Sequence, residues 1–290
     1  METILSIRSL WRCLLVQPLI VLVLTGTTLL AQPVVAQTSS PADPLWELGG
    51  AAFGFTQQAW PGASDSVNRS IAVPYVLYRG PLLRIDREMF GLRAIKTSDF
   101  ELDVGFSGSI GSRSNDTLSR QGMPDLGTLI ELGPRGRWNL GNAPGGGQWR
   151  LEIPLRGVFD VTDGFGSKGF VLEPRIQWNY QQLAVWRLSA YAGALLGDRQ
   201  LAGTFYDVAD VYATQSRPAF EAKAGLIAWR LGLTGSYRLT QDWRIFGFVR
   251  LDSVAGATNS DSPLVSQNTG YLGGVGLQWT WMRSERSATE

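Results

Sequence analysis

The chain has 290 residues, with 26 Lys and Arg against 25 Asp and Glu, no histidine and a single cysteine. Without those side chains, disulfides, haem attachment, Cys or His metal centres and His-assisted serine chemistry are excluded. The near-zero net charge argues against a nucleic-acid partner.

The N-terminus reads as an export signal. Arg8 and Arg12 precede an apolar run from Cys13 to Leu30, and Val34-Val35-Ala36 supplies small residues for cleavage after Ala36. Residues 1–36 are therefore expected to leave, 37–44 to form a linker, 45–282 a barrel and 283–290 a tail. Past the signal no apolar run is long enough for a membrane-spanning helix.

The remaining chain alternates with a period of two, the signature of strands with two unlike faces. Leu45–Gln57 is a Gly-rich first strand, followed by a polar loop over Gln58–Ser70. Ile71–Tyr78 places Ile71, Val73, Tyr75 and Leu77 on one face. Leu82–Asp86 and Phe90–Ile95 are two short strands, a single bent strand being the alternative. Asp99–Gly108 sets Phe100, Leu102, Val104 and Phe106 against Asp99, Glu101, Asp103 and Ser107. After a polar loop, Ser109–Asp125, comes Leu126–Trp138. Gln148–Asp160 and Phe170–Tyr180 then form a hairpin about the turn Val161–Gly169. Val185–Gly197 follows, then a long segment, Asp198–Ala224. Gly225–Leu239 aligns Ile227, Trp229, Leu231, Leu233 and Tyr237. Asp242–Asp252 and Thr269–Met282 close the chain around a polar loop, Ser253–Asn268.

About twelve strands result, ten being the alternative. Longer loops tend to alternate with short turns, as in outer-membrane barrels, whose short turns face the periplasm. Eight of the eleven tryptophans, among them Trp46, Trp138, Trp149, Trp178, Trp186, Trp243, Trp279 and Trp281, fall at the short-turn end. Indole rings favour the headgroup level, and a soluble sandwich gives no reason for this phasing. The expected fold is an all-β, antiparallel transmembrane barrel whose apolar faces meet outer-membrane lipid.

The opposite face carries Glu101, Asp103, Glu131, Arg150, Glu152, Arg156, Glu173, Arg175, Arg187, Arg244 and Arg250, with Arg135, Arg137 and Arg230 beside them. An arginine facing lipid at mid-depth costs about 2–4 kcal/mol, so these residues are expected to line the lumen. They could line a solute path, or neutralise one another in a narrow, filled interior. No catalytic set stands out. Gly145-Gly146-Gly147 is not a phosphate loop, because no helix follows it, and neither cofactor nor metal is expected.

Several segments resemble the MipA/OmpV family of outer-membrane proteins. Trp60-Pro61-Gly62-Ala63-Ser64-Asp65 is similar to that family's aromatic-Pro-Gly-Ser-acid loop, Trp60, Pro61, Gly62, Ser64 and Asp65 being its matching positions. Pro74-Tyr75 with Tyr78-Arg79, Phe205-Tyr206-Asp207-Val208, Ser216–Ala222 and Ser262-Pro263-Leu264-Val265 resemble four further segments, Asp207 standing where the family has glycine. Gly276 with Trp279 and Trp281 resembles the terminal signal read by the barrel-assembly machinery, although the chain runs on to Glu290. The resemblance implies a non-enzymatic barrel that joins a lytic transglycosylase to a bifunctional penicillin-binding protein in the cell envelope. A narrow channel for small solutes is the competing expectation.

Overall fold

A computed structural model describes residues 43–80, 83–85, 90–182 and 185–288. The signal region and the connection over 86–89 lie outside the described residues. The strands are β1 (Trp46–Gln58), β2 (Ser66–Arg79), β3 (Leu83–Ile85), β4 (Phe90–Lys96), β5 (Phe100–Ser109), β6 (Leu129–Asn142) and β7 (Gln148–Asp160). They continue as β8 (Gly166–Leu172), β9 (Arg175–Gln182), β10 (Trp186–Gly197), β11 (Gly225–Arg238), β12 (Trp243–Ser253) and β13 (Thr269–Arg283).

Apart from β8 and β9, each strand pairs antiparallel with its sequence neighbour, and β13 returns to pair with β1, from Glu47↔Arg283 to Gln57↔Leu272. The sheet is thereby closed, which leaves no edge across most of its circumference. β8 and β9 are two halves of one strand, both paired with β7, so the barrel has twelve staves. The interruption is Glu173-Pro174, opposite Pro154 of β7, whose carbonyl accepts the Glu173 N–H at 3.1 Å. Neither proline can donate to the ladder, and the break turns Glu173 inward.

The wall is low at β3 and β4. β2 is paired along its whole length with β1, whereas among the described residues its other side is paired only at Tyr78 and Arg79.

Facing is fixed by register. Ala52 pairs with both Ala72 and Leu277, whereas Ala51 pairs with Val73 and Gln278. Leu277 is exposed outward and Gln278 is buried. Val73 therefore stands on the inner side with Ile71, Tyr75 and Leu77, and the outer face of β2 is Ser70, Ala72, Pro74 and Val76. This corrects the expectation that the alternating apolar set of this strand meets lipid. Both parities of β2 are largely apolar, so the strand's own pattern cannot choose between them. Tyr75 packs inward where Gly49 leaves room. A Cβ at Gly49 would lie 2.5 Å from the tyrosine ring, whose hydroxyl sits 2.5 Å from Thr280 Oγ1.

Elsewhere the outer surface is a belt of exposed apolar side chains, including Phe106, Leu132, Leu155, Phe170, Ile176, Leu231, Leu233, Val249 and Val275. Tryptophans cluster at the short-turn rim. Trp149 is in register with Trp178, and Trp243 stacks on Trp279 at 5.4 Å with planes 4° apart. Trp60 does not belong to that girdle.

At the opposite rim the long connections carry structure of their own. One of them is Asp198–Ala224. It contains a helix, α1 (Arg199–Tyr206), capped by Asp198, which accepts the Leu201 N–H at 2.8 Å. Ser109–Asp125 contains two 3-10 turns, Ser114–Asp116 and Leu118–Arg120. Asp43–Leu45 and Arg286–Ala288 extend the β1–β13 ladder at the short-turn rim, through Leu45 N–H to Arg286 O and Ala288 N–H to Asp43 O, both 2.8 Å.

Candidate functional site

The interior divides into three levels: a plug at the long-loop end, a belt of charge in the middle and a vestibule at the short-turn end. The plug is a small hydrophobic core built from connections far apart in sequence. Trp60, Ala63, Val67, Leu126, Leu201, Ala202, Tyr206, Val208, Ile227, Val254 and Leu264 are all buried in it. Ile227 belongs here and not on the lipid face, because a bulge between Leu195 and Leu196 shifts the β10–β11 register at that point.

Hydrogen bonds lock three of the family-like segments together. The Trp60 indole N–H donates to Leu264 O at 3.0 Å, and the Tyr206 hydroxyl to Pro61 O at 3.1 Å. Ser262 Oγ donates to Tyr206 O at 2.9 Å, and the Ser266 N–H to Gly62 O at 2.8 Å. Gly62 has φ +91° and its missing Cβ would meet Val265 at 3.2 Å, so position 62 needs glycine on two counts. Pro61 is buried, Ser64 is exposed with its N–H on Ser266 Oγ, and the Asp65 backbone carbonyl accepts the Ala59 N–H at 2.9 Å.

Asp207, where the family has glycine, has its own work. Its carboxylate accepts the Ala222 N–H at 2.7 Å and pairs with Arg199 at 2.8 Å, holding the Ser216–Ala222 segment. Arg217 ties the same segment to the loop after β5, donating to Ser119 O and Gln121 O at 3.0 Å each. Arg120 lies 5.6 Å over the Trp60 ring. Burial, then the nearby Arg217, pushes its guanidinium down to about 10, Asp125 partly offsetting them. Burial likewise raises the Tyr206 phenol.

Beneath the plug, the expected lumen charges form alternating chains. One runs Glu131–Arg156–Glu173–Arg230–Asp252–Arg250, with successive contacts of 2.8, 2.5, 2.9, 3.4 and 2.9 Å. A second runs Glu101–Arg137–Asp103–Arg135 at 3.0, 2.5 and 2.9 Å, and Arg175 meets Glu152 at 2.6 Å. Each of these sets is balanced in sign. Asp103, Glu152, Arg156 and Glu173 are each 5% exposed or less. The void between belt and plug is only ≈ 60 Å³, room for about two waters. Asp252 escaped the sequence reading, although it shares the parity of Arg244 and Arg250.

Facing this charged wall is an apolar one. Phe53, Phe55, Phe246 and Phe248 share the inward parity of Arg244 and Arg250. Phe53 lies 5.9 Å from Phe55 and 6.1 Å from Phe246. The signal was present in the sequence, since Phe246 and Phe248 fall out of step with Ile245 and Val249.

The vestibule opens toward the short-turn rim. Arg150, Glu152, Arg175, Arg187, Gln177, Asn179 and Ser189 line a space of ≈ 260 Å³ there. Arg187 reaches Asp43 at 3.5 Å, and the buried Arg244 donates to Ser236 Oγ at 3.3 Å. Among the described residues no cluster of His, Cys, Asp or Glu could hold a metal.

A closed antiparallel barrel, belted outside by lipid-facing side chains and filled inside by paired charges, is an outer-membrane β-barrel protein. Its sequence matches the model of the family described as MltA-interacting protein MipA over residues 49–281, and the chain belongs to that family. No curated protein sequence matches it. Among solved structures it is similar to the NanC porin, at 10% identity and a TM-score of 0.35, covering 81% of this chain and 98% of that one. It is similar also to an outer-membrane channel from Pseudomonas putida F1 (8%, 0.38, 83% and 97%). The translocator domain of the autotransporter NalP from Neisseria meningitidis is a third (13%, 0.38, 81% and 88%).

Proposed function

We propose that this protein is a non-enzymatic scaffold that presents its periplasmic rim to cell-wall enzymes, first a lytic transglycosylase and with it a bifunctional penicillin-binding protein. The observation that carries this reading is the asymmetry of the two ends. The long-loop end is sealed by a packed core, and beneath it the belt charges are spent on one another. Neither level is arranged to pass a solute, which weighs against the narrow channel. The short-turn end keeps polar groups accessible and carries the added ladder of Asp43–Leu45 with Arg286–Ala288.

The family's name supplies the class of partner, an MltA-type murein-degrading enzyme. The turn Ala143–Gly147, with Gly145, Gly146 and Gly147 all at positive φ, stands beyond the β6–β7 ladder and is the contact surface we favour. On this reading residues 1–36 direct export and are removed after Ala36.

The test is recovery of murein enzymes with the tagged protein from solubilised membranes, before and after Ala143–Gly147 is replaced by a two-residue Asn-Gly turn. Loss of the transglycosylase with the barrel still folded is the expected result. Equal recovery removes the turn from the contact, and absence of any murein enzyme with the unaltered protein removes the scaffold reading.

A further inference from the structure

We infer that the vestibule is a binding site for a small carboxylate that also carries hydroxyl or amide groups. This inference does not rest on the scaffold reading. Register builds the site: Arg150 of β7 pairs with Gln177 of β9, Gln177 pairs with Tyr191 of β10, and Asn179 pairs with Ser189. The inward side chains of three adjacent staves thus meet at one height.

Charge around the space is lopsided. Five arginines line it (135, 137, 150, 175 and 187), with Glu152 the one carboxylate among the lining side chains. Asp103 and Glu101 stand behind Arg135 and Arg137, and Asp43 beside Arg187, away from the lining itself. A guanidinium already holding one carboxylate keeps N–H groups for another, and its planar fork suits a second carboxylate.

An independent observation points to a ligand richer than a bare anion. Gln177 gives its amide N–H groups to Asn179 Oδ1 at 2.8 Å and Ser189 Oγ at 2.7 Å. Gln177 Oε1, Asn179 Nδ2 and Arg187 Nε are left buried without a protein partner. One acceptor and two donors thus flank the arginines, and buried polar groups of this kind are ordinarily satisfied. A hydroxyl or amide next to a carboxylate would serve them. The ≈ 260 Å³ equals roughly nine waters, or a solute of about a dozen non-hydrogen atoms.

Isothermal titration of the full folded chain in detergent micelles tests this, with gluconate as probe and glucose as its neutral counterpart of similar size. Saturable heat from gluconate and none from glucose is expected. Arg150→Gln and Arg187→Gln should each weaken gluconate about tenfold, since each removes a charge-assisted contact. Asn179→Ala should weaken gluconate while leaving acetate unchanged. Equal heats from gluconate and glucose overturn the proposal. So does no heat from gluconate up to about 10 mM, or binding that survives both arginine changes. If an arginine variant fails to fold, the comparison of the two probes on the unaltered chain decides alone.

Discussion

Trp60→Ala probes the plug where its segments converge. The ring is 2% exposed, its N–H holds Leu264 O, and Arg120 covers one face. Truncating a buried tryptophan costs about 3–5 kcal/mol, and a buried carbonyl left without its donor adds about 1 kcal/mol or more. That cost should fall on the plug and not on the barrel, whose ladders close without it. Local opening becomes easier by roughly a thousand- to twenty-thousand-fold. Amide hydrogen exchange in detergent reads this directly. Ser266 and Gln267, both bonded to Gly62 O, should lose protection, as should Val208, bonded to Phe220 O. Amides of β6 and β7 should keep theirs. Unchanged protection at Ser266 and Val208 would refute the view that Trp60 keys the plug. An equal fall throughout the strands would refute the separation of plug from barrel.

Two further substitutions test the interior. Glu173→Gln removes the shared partner of Arg156 and Arg230 and leaves two nearly buried guanidiniums short of charge, a loss of about 3–5 kcal/mol. The unfolding temperature read from the heat-dependent gel shift should drop, and an unchanged value would mean that water already satisfies both arginines. Val73→Arg and Leu277→Arg lie at neighbouring levels but on opposite faces. The outward arginine should destabilise insertion into lipid vesicles by about 2–4 kcal/mol and the inward one far less. The reverse order would return β2 to its other face.

Much of the fold was legible in the sequence because a barrel wall is a local object. Phe106 against Asp103, or Leu155 against Arg156, declares its face through a two-residue period that no distant contact alters. The tryptophan girdle was legible for the same reason. β2 was not, because Ala72, Pro74 and Val76 are as acceptable to lipid as Ile71 and Val73, and only pairing through β1 to Gln278 decides. Nor was α1, whose Arg199–Tyr206 includes Gly203, Thr204 and two aromatics. So short a helix has little propensity of its own and forms by docking Leu201, Ala202 and Tyr206. Ile227 moved from the lipid face to the plug because it is the extra residue of a bulge in β11, opposite Leu195 and Leu196 of β10, and no alternation in β11 announces it.

By itself, the sequence determined the class of structure and its axial order: a barrel of about twelve staves with indoles at one rim, charge inside and long connections at the other end. Those properties follow from periodicity and from the solvents on the two sides of the wall. The tertiary structure alone decided what the charges and the motif loops are for. Glu131, Arg156, Glu173, Arg230 and Asp252 come from positions up to 121 residues apart, and whether such groups neutralise one another or face a path depends on their distances across the lumen. The same holds for Trp60, Tyr206 and Leu264, which form a core only because barrel closure brings the tips of distant hairpins together.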